Sequence, residues 1–441
     1  MKTREEIIQA VREAGVTGAG GAGFPTFFKL QASADYLIAN AAECEPLAQV
    51  DKQLIAHSAP QIISGIRLAM QAIHARQGII GIKKKYKDLI NHLRNHLQGA
   101  SDINICEVGN FYPAGDEHVL VYDAIGKVVP EAGIPIDVGC VVQNIETLVN
   151  IHRAVEGQPF IHKYITVIGA VQKPMTVKVP LGITYQEVID LAGGVTVSDS
   201  FILDGGAMMG NVAEPDAPVS KRTKILLVLP YDHQLSVKRR MSRRSTELQA
   251  ISACDQCFIC TDFCPRHAHG HAIQPHKLIL LLSSGVPLTN EQMLGALLCC
   301  ECRTCNYSCP VHLLPGDIAI QVKRDLVKGG LKYPHPKQTE ANPYREFRRV
   351  PIQRLIARLG LAKYDVLAPL TDTPVEFKRV ILQLRQGLGM AAVPLVKAGD
   401  QVQAGSPIAD VPKGALGVPV HASINGFVQE VRPDSIVIEA K

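Results

Sequence analysis

Eight of the twelve cysteines fall into two copies of one spacing. Cys254-x2-Cys257-x2-Cys260-x3-Cys264-Pro265 is followed by Cys299-x2-Cys302-x2-Cys305-x3-Cys309-Pro310. Cysteines three residues apart project their sulfurs inward from a tight turn, and the proline ends that turn before the next helix. This is the run that holds bacterial-type iron–sulfur clusters, in which three thiolates ligate one cluster and the fourth ligates the other. The expected ligand sets are therefore Cys254, Cys257, Cys260 and Cys309 around one [4Fe–4S] cluster, and Cys299, Cys302, Cys305 and Cys264 around a second. Cys300 breaks the frame and is left out. Zinc also takes four thiolates, but usually from two separated Cys-x2-Cys pairs, which makes it the weaker alternative. For His267, His269 and His271 a loop of polar donors beside a cluster is favoured over a metal site. Cys44, Cys106 and Cys140 read as buried free thiols.

A chain of 441 residues exceeds a single core, so several domains must position these thiols. No apolar run reaches the roughly 18 residues of a transmembrane segment, and Met1-Lys-Thr-Arg-Glu-Glu leads into a charged helix rather than a signal peptide. A cytosolic chain with this cysteine usage binds metal rather than forming disulfides. The basic run Lys238-Arg-Arg-Met-Ser-Arg-Arg244 is favoured as a solvated face, with attraction to an anionic cofactor or partner as the alternative. It has no interleaved aromatic residues, so no nucleic acid is expected.

Residues 3–14 read as a helix with Ile7, Ile8 and Val11 on one face. After a glycine loop come a strand at 36–39, a helix at about 51–76 and a strand at 78–82, an α/β alternation taken to span 1–160. Residues 161–232 read as a small α+β module, with paired strands at 164–168 and 175–179. Residues 245–330 read as helical, 331–385 as a connector, and 386–441 as a small all-β domain of short strands and glycine turns. The loop Gly18-Ala-Gly20-Gly21-Ala-Gly23 satisfies G-x-G-x-x-G, yet a helix precedes it where the dinucleotide fingerprint needs a strand. No Lys-Ser/Thr follows, so it is no P-loop. What remains is a backbone able to approach a phosphate or a flat ring closely.

Gly20-Gly-Ala-Gly-Phe-Pro-Thr26 with Lys29, Asn40-Ala-Ala-Glu-Cys-Glu-Pro46, Tyr112-Pro-Ala-Gly-Asp-Glu117 and Asn144-Ile-Glu-Thr-Leu148 occur in that order. Together they resemble the flavin- and NADH-binding subunit of respiratory complex I. The resemblance implies FMN contacts at Gly20, Gly21, Gly23, Lys29, Asn40, Asn144 and Thr147, with Glu43, Glu45 and Glu117 near the flavin or the nicotinamide ribose. Ala42 and Asp116 depart from the family's pattern. The stretch 163–230, with Asp204-Gly-Gly-Ala-Met-Met-Gly210, looks like the β-grasp (SLBB) module of Rnf complex C-subunits, and the last module resembles their barrel-sandwich hybrid. The implied fold class is multidomain α/β and α+β: a Rossmann-like flavin domain, a β-grasp (SLBB) module, a helical two-[4Fe–4S] ferredoxin-like domain and a C-terminal barrel-sandwich hybrid.

Rnf C-subunits carry the barrel-sandwich module first, whereas here it is last. That order, the Cys264-Pro-Arg-His267 run and the ending Val418-Pro-Val-His-Ala-Ser423 are similar to the cobalamin reductases of propanediol-utilisation microcompartments. The resemblance implies an oxidoreductase that takes electrons from NADH through FMN and two clusters to the cobalt of cobalamin. Its implied setting is the cytoplasm, within a bacterial microcompartment, with a corrinoid adenosyltransferase and shell proteins as partners. The alternatives are an Rnf-type NADH:ferredoxin subunit on a membrane complex, and an electron carrier that has lost its flavin.

Overall fold

Thr3 starts the first helix, Arg4–Glu13, with a reciprocal cap: its hydroxyl accepts the Glu6 N–H while the Glu6 carboxylate accepts the Thr3 N–H. The computed structural model describes residues 2–285, 287, 291–334, 336–371 and 376–441. Four parallel strands make the sheet of the first domain, in the spatial order Ile103–Val108, Gln77–Lys83, Tyr36–Ala41, Cys140–Asn144. Helices cover both faces, which is why the strands are almost continuously apolar. Leu37 and Ala39 join the core of helices Arg4–Glu13, Val50–Ile73 and Ile145–Val155, while Ile38 joins that of Glu117–Ile125. At Gly65 a Cβ would lie 2.0 Å from the Leu148 carbonyl oxygen, so glycine alone allows that helix crossing.

The chain steps outward from Tyr36–Ala41 through two strands, then returns to lay Cys140–Asn144 on the opposite side. This reversal opens a crevice at the carboxyl ends of Tyr36–Ala41 and Cys140–Asn144, the place where such sheets bind ligands.

The second domain is a mixed sheet built on His162–Gly169, Met175–Pro180, Ser200–Asp204 and Ile225–Pro230, with helix Tyr185–Leu191 capped by Thr184. Leu370–Thr371 joins its edge beside Met175–Pro180. The cysteine-bearing domain packs helices Arg243–Ala253, Pro275–Ser283 and Pro315–Lys328 around Ala250, Leu278, Ile318 and Val322. The C-terminal domain has two sheets. One of them takes a strand, Arg379–Gln383, from the stretch expected as connector. It pairs with Ser435–Ala440 through the alternating residues Val380 and Leu382, both buried, a pattern too short to stand out in sequence.

Buried ion pairs fasten the domains. Lys163 of the second domain and Glu146 of the first pair with neither side chain exposed. Arg266, just past Cys264, forks onto both carboxylate oxygens of Asp116, the cap residue of helix Glu117–Ile125. Burial pushes the Asp116 carboxyl up, but the Arg266 guanidinium outweighs it and holds it at about 2. Since that lies below the ordinary 3.8, the pair's stabilisation is present above that pH and is lost as pH falls towards 2. Asp116→Asn leaves Arg266 buried without its partner, an expected loss of about 3–5 kcal/mol. Urea unfolding at neutral pH measures it, and near pH 2 the variant and parent should converge.

Candidate functional site

Both cysteine runs adopt the same backbone. In the first, Gln256 and Phe258 have left-handed φ of 52° and 70°; in the second, Glu301 and Arg303 have 62° and 56°. These are the second and fourth residues after the leading cysteine each time. Non-glycine residues enter this region at a cost, and its recurrence at matched places in both runs marks a functional constraint. Alternating handedness turns successive N–H groups inward, as an anionic centre requires. The Glu301 N–H already points at the Cys299 sulfur, 3.3 Å away, and the Gln256 side chain at that of Cys254, 3.2 Å away.

Cys254, Cys257, Cys260 and Cys309 line one cleft of about 370 Å³ together with Phe258, Ile279 and Leu313. Burial, then Cys254, Cys309 and Cys257, push the Cys260 thiol up to about 12. Cys305 is pushed up by burial and by Cys264, Cys299 and Cys260. The fourth cysteine of each run thus crosses to the other run, and the two sets adjoin through Cys260 and Cys305. Such crowded thiols become thiolates only against a cationic centre, so the donor chemistry fits iron–sulfur clusters. Cys300 touches the second set: its hydrogen bond with Cys302, and then burial, push its thiol up.

The glycine loop lies at the crevice of the parallel sheet. Asn40 and Asn144 end adjacent strands in register. The Ala19 N–H donates to Thr147 Oγ1 (3.0 Å), and Gly18 closes the loop onto the Phe24 carbonyl (2.9 Å). Gly20 packs against Asn144, so a Cβ there would sit 3.1 Å from its side chain, whereas a Cβ on Gly21 would meet nothing within 4 Å. Gly23, with φ +70°, is pressed against Gly387 of the C-terminal domain. A loop anchored at both ends with an open, side-chain-free middle fits a flat ring or a phosphate.

Lys29 lies 3.3 Å from Glu117 at this edge, and Asn40 donates to the Gly115 carbonyl (2.8 Å). Glu43 is buried beside Lys224, which also pairs with Asp51 at 2.6 Å. Burial pushes Lys224 down, yet Asp51 and Glu43 outweigh it and hold the ammonium charged. Asp51 in turn accepts from Asn144 (3.0 Å). Glu45 is engaged with the second domain: it accepts the Met208 N–H at 2.5 Å and the Met209 N–H at 3.4 Å, and burial pushes its carboxyl up to about 7.

Residues that the sequence reading missed join the two centres. Arg266 reaches Asp116, and the buried Tyr112 hydroxyl donates to the Cys302 carbonyl (2.8 Å). Asp51 and Lys224 carried no signal beyond being polar. The set containing Cys302 therefore lies against the flavin-type domain, and the other lies outward, with Cys257 exposed. His269 and His271 bond to the Pro265 and Val129 carbonyls and seal the same seam. Burial pushes the thiols of Cys44 and Cys140 up to about 11, in keeping with free thiols.

Four family models match in succession: the Nuo51 FMN-binding domain over residues 11–153, the SLBB domain over 164–212, a 4Fe-4S dicluster domain over 253–314 and the RnfC barrel sandwich hybrid domain over 368–441. With the site geometry, these define a flavin/iron–sulfur oxidoreductase. The chain is 44% identical over 437 residues to "Cobalamin reductase PduS" of Citrobacter freundii, covering 98% of this chain and 96% of that protein. It is 43% identical, with the same coverage, to the protein of that name from Salmonella typhimurium (strain LT2). The chain belongs to this cobalamin reductase family. Among solved structures, a chain of the NAD+-reducing [NiFe]-hydrogenase in the H2-reduced state shares the fold at TM-score 0.50 and 23% identity, over 75% of this chain and 63% of that one.

Two variants separate the centres. Cys257→Ala should halve the iron content of the reconstituted protein, from about eight to about four atoms, leaving one cluster. Gly21→Val should fold like the parent, because its side chain enters open space, but bind FMN at least about tenfold more weakly by fluorescence titration.

Proposed function

We propose that the chain is an NADH-dependent reductase that passes electrons through FMN and two [4Fe–4S] clusters to the cobalt of cobalamin. When bound, a flavin accepts electrons in pairs and releases them singly to clusters, which carry one at a time. The observation that carries the reading is the direct attachment of one cysteine set to the flavin-type edge, by Arg266 on Asp116 and Tyr112 on Cys302. The acceptor rests on the 44% identity to relatives named for it.

Gly20, Gly21 and Gly23 would hold FMN, with Lys29, Asn40, Asn144 and Thr147 fixing the edge around it. Glu43 shares the Lys224 ammonium with Asp51, which ties the strand end to the second domain. Glu117 stands at the opening, partly exposed, where a nicotinamide ribose would approach. Cys264, Cys299, Cys302 and Cys305 would hold the inner cluster, and Cys254, Cys257, Cys260 and Cys309 the outer one, through which electrons leave. Among the described residues no helix is long and apolar enough to cross a membrane. On this reading the chain works in the cytoplasm inside a propanediol-utilisation microcompartment, where a corrinoid adenosyltransferase consumes its product and shell proteins surround it.

The deciding experiment is anaerobic. Protein loaded with FMN, iron and sulfide is given NADH and hydroxocobalamin while the flavin, cluster and corrinoid absorbances are followed. Bleaching of flavin and clusters with appearance of the Co(II) spectrum is expected. Bleaching of flavin with ferredoxin reduced and cobalamin untouched would replace this reading with the Rnf-type one.

A further inference from the structure

A cleft of about 550 Å³, its open mouth included, lies between helix Gln234–Arg239, the second cysteine run and helix Ile352–Arg358, beside the cysteine centres and away from the glycine loop. Arg239 and Arg303 form part of its wall, and both guanidiniums are already engaged. Arg239 donates to the Ala207 and Met208 carbonyls, and Arg303 to the Met208 carbonyl and Asp317. Asp317 is the sole carboxylate among the lining residues, and Arg303 and Asn306 take its two oxygens. Lys238 and Arg358 add two further cations, with no carboxylate in ion-pair range of Lys238 among the described residues. Counting Lys238, Arg239, Arg303 and Arg358 against Asp317 and the buried Glu45 carboxyl behind Arg239 and Arg303 leaves at least two positive charges in excess.

Like charges held this close repel unless an anion joins them. Leu235 and Leu314 supply an apolar wall beside these cations for the body of a ligand. The cavity also touches the outer cysteine set, because the Arg358 guanidinium donates to the Cys309 carbonyl at 2.8 Å. The first two residues of the basic run at 238–244 line this cavity.

We propose that this cavity binds the phosphate group of a small-molecule electron acceptor and holds that molecule beside the outer cluster. The word acceptor rests on the function proposed above, whereas the phosphate site stands on its own residues. Cobalamin, which carries one phosphodiester, meets the chemical requirement.

Inorganic pyrophosphate is the probe, titrated by calorimetry into the full-length protein loaded with FMN and clusters. Saturable binding is expected, weakened about tenfold or more in Lys238→Gln and less in His312→Gln, which alters the rim alone. Cluster absorbance and reduction potential should match the parent in both variants. In turnover, pyrophosphate should raise the apparent KM for the acceptor while the rate of flavin bleaching by NADH stays the same. No saturable binding at millimolar pyrophosphate, or equal binding by Lys238→Gln, overturns the proposal and leaves an adventitious ion only. A shifted cluster potential with unaltered binding also overturns it, because Lys238 then merely balances the charge of the cluster. If pyrophosphate binds as expected but cobalamin is not reduced, the phosphate site stands and the acceptor assignment falls.

Discussion

Each cysteine run sends its fourth sulfur to the other run, and the rest of the structure follows from that crossing. Cys309 must reach the cleft of Cys254, Cys257 and Cys260, so two segments about forty-five residues apart have to face each other. The helices Arg243–Ala253, Pro275–Ser283 and Pro315–Lys328 hold them there, around a core of aliphatic residues and Met293 with no aromatic ring. The left-handed residues at matched places in the two runs show how tightly the thiols dictate the backbone. Side-chain and backbone bonds from outside complete the frame: Lys323 donates to the Cys299 carbonyl and Arg358 to that of Cys309.

Charge buried between domains does for the whole chain what the crossing does for the clusters. Lys163 with Glu146 and Lys224 with Asp51 and Glu43 tie the second domain to the flavin edge. Arg266 with Asp116 ties the cysteine domain to the same edge. Such pairs add little net stability over apolar packing, since desolvation cancels much of the attraction. They do penalise any arrangement that separates the partners. A protein whose purpose is to keep redox centres at fixed separation gains from that penalty.

Much of this was legible in the residues. The strands Tyr36–Ala41 and Gln77–Lys83, the helix Val50–Ile73 and the hairpin of His162–Gly169 with Met175–Pro180 sit where apolar runs and a Lys-Pro turn placed them. The cysteine spacing carried the grouping of Cys309 with Cys254, Cys257 and Cys260 in one cleft, because each run's turn is a local backbone property encoded within eleven residues. The strand Arg379–Gln383 escaped because it pairs with residues more than fifty positions away and has just two core-facing side chains. Asp116, which departs from the family's pattern, acquired a clear meaning only when Arg266 came to lie against it.

The sequence by itself determined the chemistry: thiol number and spacing, a glycine loop free of side chains, and the order of the modules. Tertiary structure alone decided which cysteine set lies inward. That choice depends on Tyr112 meeting Cys302 across 190 residues and on Arg266 meeting Asp116 across 150. It also decided that Glu45 bonds to Met208 and Met209, and that Lys238, Arg239, Arg303 and Arg358 surround one cavity. Periodicity and spacing report on neighbours along the chain. Which distant charges share a site is set by how the domains pack, and no local pattern records it.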